Sequence, residues 1–279
     1  MEKILFAVDA DGVNMHTLDF ATYLCRLTRS GITGMFLEKL ASDPAPLLKK
    51  LFSFSEHGRL EDDDLYTGPD EKNRIEKEIS LFRDTCDNRS LRYTIMQREG
   101  DPVREISRET RFSDLLIMDA FSSCKNSDLQ IPTNFVKDVL QETECPVIIA
   151  PPAFEKIDEI IFTYNGSRSS VFAMKQFAYL FPELNEKRLI IVQANEKGIW
   201  DENEKTSLKD LFRNHFSSIG FEILSNAQED ELFGFLLVRK NAFIVMGAYG
   251  RAAISRFFKR SYADRLIRTM TQPLFIAHT

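Results

Sequence analysis

The chain has 279 residues, of which 43% are hydrophobic and 28% charged, enough for one large domain or two of ordinary size. Its 36 basic and 42 acidic residues leave a net charge of −6, which argues against a partner bound through a broad basic face, such as nucleic acid. No stretch approaches the length of a membrane span.

In chain order, Ile4 to Val8 is a short apolar run ending on Asp9. It is too short for the apolar region of a secretion signal and reads as a strand. Phe20, Leu24 and Leu27 then recur at helical spacing, predicting a helix over 16–29. Gly31-Ile32-Thr33-Gly34 reads as the stop of that helix, followed by a strand over 32–36. The segment 37–73 holds Pro44, Pro46, Gly68-Pro69 and the run Glu61-Asp62-Asp63-Asp64. The acidic run reads as a solvated loop rather than a metal site. Leu47, Leu48, Leu51, Phe52 and Phe54 predict a short amphipathic helix. Helices follow over 71–87, 102–111 and 134–142, alternating with strands over 91–96, 115–118 and 147–150. Pro151-Pro152 then ends the first series. The second series predicts strands over 159–163, 188–193, 221–225, 242–246 and 274–277. Helices are expected near 169–181, 204–218, 230–240 and 261–270.

The two series repeat one another. Leu115 to Met118 matches Phe243 to Met246, 128 residues on, and Tyr93 and Ile95 match Phe221 and Ile223 at the same offset. Cys145-Pro146-Val147-Ile148-Ile149-Ala150 matches Gln272-Pro273-Leu274-Phe275-Ile276-Ala277 at an offset of 127. At the starts, Ile4 to Asp9 matches Ile160 to Asn165 at 156, so the first copy carries an insertion of 28 residues near 37–73. Short apolar strands alternating with helices predict parallel sheets covered on both faces. The expected fold is α/β: two tandem doubly wound, Rossmann-like αβα sandwiches with five parallel strands each, over 1–152 and 155–279.

Cys25, Cys86, Cys124 and Cys145 all lie in the first half without a CxxC pair, which suggests reduced thiols and a cytoplasmic protein. His16, His57, His215 and His278 are scattered, with His16 and His215 falling in predicted helices. No P-loop, HExxH or GxSxG signature is present, no carboxylate pair or metal-ligand cluster is implied by spacing, and no enzyme is expected. Lone Trp200 reads as an aromatic packed under a loop, the alternative being a cover for a nucleotide base.

The strand 242–246 runs into Gly247-Ala-Tyr-Gly250-Arg251, with Ser261 opening the following helix. Amides at a strand end and a helix N-terminus can converge on an anion. Together with the first strand ending in Asp9 or Asn165-Gly166-Ser167, Gly100-Asp101-Pro102 and Cys145-Pro146-Val147-Ile148-Ile149, this loop resembles tandem universal stress proteins over nearly the whole chain outside the insertion. The resemblance implies an ATP-type site, G-x2-G-x9-G-[ST], after the fourth strand of each copy. In copy two the matching residues are Asn165, Met246, Gly247, Gly250, Arg251, Arg260, Ser261 and Tyr262. Arg260 replaces a glycine, at a cost of about 1–2 kcal/mol if the position needs positive φ, which a guanidinium donating to phosphate would offset. Asn165 replaces the ribose-binding aspartate. In copy one the pattern reads Asp119-x-x-Ser122-x9-Pro132-Thr133. Asp119 brings negative charge, Pro132 has no N–H, and Thr133 reads as a helix N-cap.

The resemblance implies a cytoplasmic stress-response protein with a partly degenerate site for ATP or another adenine nucleotide in copy two, sensing or binding rather than catalytic. No cofactor is required for the fold. The alternatives are an interaction scaffold that binds no nucleotide and a weak ATP hydrolase. It also implies an intramolecular pseudo-dimer through the last strands. A homodimer or an unidentified protein partner is compatible with that arrangement.

Overall fold

A computed structural model describes residues 1–8, 12–38, 69–122, 131–225, 229–247 and 260–278. The first half contains β1 (Lys3–Val8), α1 (Met15–Thr28), β2 (Gly31–Glu38), α2 (Pro69–Asn88), β3 (Tyr93–Glu99), α3 (Pro102–Thr110), β4 (Leu115–Met118), α4 (Asn134–Glu142) and β5 (Val147–Ile149). The second half contains β6 (Glu159–Tyr164), α5 (Arg168–Leu180), β7 (Arg188–Ala194), α6 (Glu202–Phe212), β8 (Ser218–Leu224), α7 (Glu229–Leu237), β9 (Ala242–Gly247), α8 (Arg260–Thr269) and β10 (Leu274–Ala277). A 3-10 turn, Pro182–Leu184, follows α5.

All ten strands join one sheet, in the order β3-β2-β1-β4-β5-β10-β9-β6-β7-β8. Pairing is parallel within each half, and β5 meets β10 antiparallel, with Phe275 opposite Ile148. The buried strands read as continuous apolar runs because helices cover both faces. The core is divided by sheet face rather than by repeat. One cluster lies beneath α1, α2, α5 and α6 and joins Phe6, Phe20 and Phe82 to Phe162, Phe177 and Phe243. The other lies beneath α3, α4, α7 and α8 and joins Leu116, Val136 and Ile149 to Ile244, Leu266 and Ile276. Rings from the two halves touch directly: Phe20 meets Phe243 edge-on at 6.1 Å. The connection 150–158 is packed as well. Phe154 sits 5.0 Å from Phe20 and 4.6 Å from Tyr23, and Ile157 is buried.

Helix starts follow local chemistry. Asn14, Asp101, Thr133, Ser167 and Asp201 each cap a helix by accepting backbone N–H groups. Thr133, read as a cap from sequence, accepts from Val136 N at 3.2 Å.

Four expectations change. First, α1 does not stop on glycine. Arg29 takes the left-handed conformation at φ 54°, and Ser30 N donates to Cys25 O. Gly31 and Gly34 belong to β2, where a Cβ on Gly34 would stand 2.8 Å from the Phe82 ring. Second, α6 ends at Phe212, so His215 lies outside it, against Tyr179 at 5.3 Å. Phe212 and Phe216 both pack on Phe162, which turns the chain back towards β8. Third, the ladders place Tyr93 beside Ile32 and Ile219 beside Leu189, so Tyr93 corresponds to Ile219 rather than Phe221. The two-residue slip keeps the same side chains on the same face. Fourth, β2 reaches Glu38 and α2 begins at Pro69, so both ends of the segment 37–73 are regular structure. Its interior, including Asp62 to Asp64 and the expected short helix, lies outside the described residues. So do Asp9, His57 and Cys124.

Among the described residues, no helix is long and apolar enough to cross a membrane, and no cluster of metal-ligating side chains forms. Cys25, Cys86 and Cys145 are free thiols. Burial pushes them up to about 12, 11 and 12, which leaves them protonated at neutral pH and poor nucleophiles.

Candidate functional site

In each half the strand order reverses beside the first strand, between β1 and β4 and between β6 and β9. Crevices at the carboxyl ends of such strands are where doubly wound folds hold ligands. In the second half the chain leaves β6 at Tyr164 and passes through Asn165-Gly166-Ser167 into α5. Gly166 has φ 76°, a conformation that favours glycine. Asn165 Oδ1 accepts from Ser167 N at 3.0 Å, and Ser167 Oγ accepts from Ser170 N at 3.1 Å. The Asn165 oxygen therefore holds the turn that starts α5.

The parallel register of β6 and β9 sets Phe162 beside Val245, which brings the strand ends at Asn165 and Gly247 together. A Cβ on Gly247 would land on the backbone carbonyl of Ser169 and stand 2.5 Å from Ser170 N. Gly247 thus admits the first turn of α5 against the end of β9. Nothing in the local sequence foretold this, since Ser169 and Gly247 are far apart in the chain. Met246 is completely buried in the cluster beneath α7 and α8, leaving only its backbone for a ligand. Arg260, Ser261 and Tyr262 form the first turn of α8. Gly250 and Arg251 lie outside the described residues.

An aromatic group flanks the crevice. Trp200 is 8% exposed and stacks on Tyr164 at 5.9 Å and 13°, with its edge on Phe221 at 5.4 Å. It packs under its loop, and its indole N–H has no partner among the described residues. Burial, and then Glu204, which accepts from the phenol, push Tyr164 up to about 12.

The first half solves the same junction differently. Six residues (9–14) connect β1 to α1, against three (165–167) between β6 and α5. Correspondingly, α1 stands farther from β4 than α5 does from β9. Asp119 fills the difference. Its carboxylate accepts from Phe121 N at 2.7 Å and from Asn14 Nδ2 at 3.1 Å, tying the β4 end to the residue that caps α1. Ser122 donates to it as well. The carboxylate is thus held by protein donors from Phe121, Asn14 and Ser122 at the end of β4. Beside it, a cavity of about 200 Å³ lies between Asn14, Asp119, Phe121 and the end of α8 at Arg268 and Met270.

Burial raises the Asp119 pKa above 3.8, and the hydrogen bonds from Phe121, Asn14 and Ser122 only partly oppose it. The folded state therefore holds this proton more tightly than the unfolded chain. The stability carried by Asp119 is fullest in acid and declines as pH rises from near the unfolded value through the raised folded one. Urea unfolding of wild type and Asp119→Ala at about pH 4 and about pH 7 should show the difference moving against wild type at the higher pH. A difference independent of pH would overturn the assignment.

The arrangement defines a class: doubly wound α/β halves with a switch-point crevice in each, one crowded by a helix and the other filled by a carboxylate. Solved structures narrow it. A universal stress protein from Archaeoglobus fulgidus superposes with a TM-score of 0.71 at 15% identity, covering 99% of this chain and 98% of that one. A putative universal stress protein from Pseudomonas aeruginosa gives 0.58 at 13%, covering 100% and 93%. A functionally unknown protein from the same species gives 0.57 at 14%, covering 100% and 92%. The fold is that of universal stress proteins, over essentially the full chain. No family model matches the sequence, and no curated protein matches it.

Proposed function

We propose that the chain is a cytoplasmic tandem universal stress protein whose second half binds an adenine nucleotide weakly, as a sensor rather than a catalyst. The observation that carries this reading is where the described chain stops and resumes on either side of residues 248–259. β9 ends at Gly247, at the switch point, and Arg260 and Ser261 open α8. Helix N-termini favour phosphate. The first half is a structural partner, with Asp119 in place of the ligand. The reading includes no turnover.

Calorimetric titration with magnesium ATP tests it. Wild type should bind with a dissociation constant in the micromolar to millimolar range, and Gly250→Asp, which sets a carboxylate in the loop, should lose at least about tenfold (1.4 kcal/mol). Absence of heat up to millimolar ATP would overturn nucleotide binding, and unchanged affinity in the variant would overturn the site.

Two observations favour a second reading, an interaction scaffold without nucleotide. The Gly247 contact with Ser169 and the turn held by Asn165 give both residues structural duties that need no ligand. A negative titration would select this reading.

A further inference from the structure

A groove of about 530 Å³ runs between α3 and α4 on the surface of the first half. Its lining is divided by charge. Arg104, Arg108 and Arg111 line it from α3 and its C-cap, and Asp138 and Glu142 line it from α4. Spacings of three and four residues put each set on a single helix face. The residues of opposite sign in each helix are already engaged. In α3, Glu109 pairs with Lys3 at 2.5 Å and Glu105 with Arg108 at 3.2 Å. Asp101, the cap of α3, accepts from Arg104 N at 2.9 Å. In α4, Lys137 pairs with Asp264 of α8 at 3.5 Å. The groove therefore has one basic bank and one acidic bank.

Two bonds fix how the banks are aligned. Ser107 Oγ donates to Glu142 O at 2.8 Å, and Arg111 Nε donates to Glu144 at 2.8 Å. One helical turn before the first of these, Arg104 stands level with Asp138, and Arg108 stands level with Glu142. Arg104 and Asp138 are both exposed, and neither forms an ion pair among the described residues. Arg108 is 73% exposed and has donors beyond the one it gives to Glu105. At the foot of the basic bank, Phe112 is 75% exposed. Arginine and aromatic side chains are the composition that protein interfaces favour, whereas lysine is depleted there.

Level rows of opposite charge are self-complementary. A two-fold axis laid along the groove exchanges the banks, so a second copy sets its acidic bank on this basic one at the same height. We infer that the chain associates with a second copy of itself through this groove, each α3 lying over the other's α4. Arg104 of each copy faces Asp138 of the other, and Arg108 faces Glu142, so every contact occurs twice. Phe112 covers the foot of the facing α4. Helices of nine residues offer a small interface, and exposed ion pairs are individually weak, so the dimer is weak and salt-sensitive. The contact uses no residue of the Gly247 crevice and stands whether or not nucleotide binds.

Small-angle X-ray scattering of the full chain over a concentration series tests it. Wild type should pass from monomer to dimer mass between micromolar and millimolar protein. Raising salt from about 0.05 M to about 0.5 M should weaken the dimer about threefold or more. Arg104→Glu and Asp138→Lys should each weaken it about tenfold or more, because each creates a like-charge contact twice. Both positions are exposed, so the melting temperature of each variant should stay within about 2 °C of wild type. Mixed in equal amounts, the two variants should dimerise as wild type does. The new acid of one then meets the new base of the other, and the native pair survives at the second site. Phe112→Ser should weaken association about threefold or more. A chain that stays monomeric at millimolar protein would overturn the inference. So would variants that associate like wild type, or a mixture that does not recover.

Discussion

Gly247→Ala should destabilise the protein by about 3 kcal/mol, at the upper end of the cost of forcing atoms into a packed interior. The added methyl meets the Ser169 carbonyl and the Ser170 amide, which are backbone atoms of a capped helix. A side chain in that position could rotate away, whereas this backbone can yield only if α5 moves. That helix carries Ala173, Met174 and Phe177, all buried, so its retreat would open the core beneath it. Gly220→Ala is the control: it sits in β8 with its nearest neighbour 3.7 Å from the added atom, and should change stability by less than about 0.5 kcal/mol. Urea unfolding of both variants measures the contrast. A cost below about 1 kcal/mol at Gly247 would show that α5 steps back freely and that the glycine serves something other than this contact.

Phe275→Ala should cost about 3–5 kcal/mol, the range for removing a buried phenylalanine. Phe275 is fully buried, lies edge-on to Phe177 at 5.3 Å, and sits opposite Ile148 across the antiparallel seam. Both core clusters cross that seam, so the loss should be felt by the whole molecule rather than by the second half. Trp200, the single tryptophan, reports on the second half, and far-ultraviolet circular dichroism reports on both. The two midpoints should fall together. Separate transitions would show that each half unfolds on its own.

Much of this architecture was legible in the chain because its central strands are buried on both faces. Ile4 to Val8, Leu115 to Met118 and Phe243 to Met246 are uninterrupted apolar runs, and their internal repeat fixed their correspondence. The edge strands were less readable. β3 and β8 are only half buried, so their composition constrained register weakly, and Tyr93 was aligned two residues off. Arg29 in the left-handed region is held by tertiary contacts, including Arg92 Nη2 donating to its carbonyl at 2.7 Å, and leaves no mark in the local sequence. At the crevices, the substitution of Asp119 for glycine was visible, and so was its negative charge. Its anchoring by Asn14, Phe121 and Ser122 was not, because it depends on where the six-residue connection sets α1 down. The same holds for Gly247, whose need for hydrogen in place of a side chain arises from Ser169, on a different element.

The antiparallel seam has a geometric result. Because β5 and β10 run in opposite directions, the carboxyl ends of the two half-sheets point to opposite poles of the molecule, and their crevices never face one another. Yet the end of α8 borders the cavity beside Asp119, and the end of α4 borders a cavity beside Phe172. Each half thus supplies a wall to the other's pole. The rungs Leu274–Ile149, Phe275–Ile148 and Ile276–Val147 are the backbone link between those two poles.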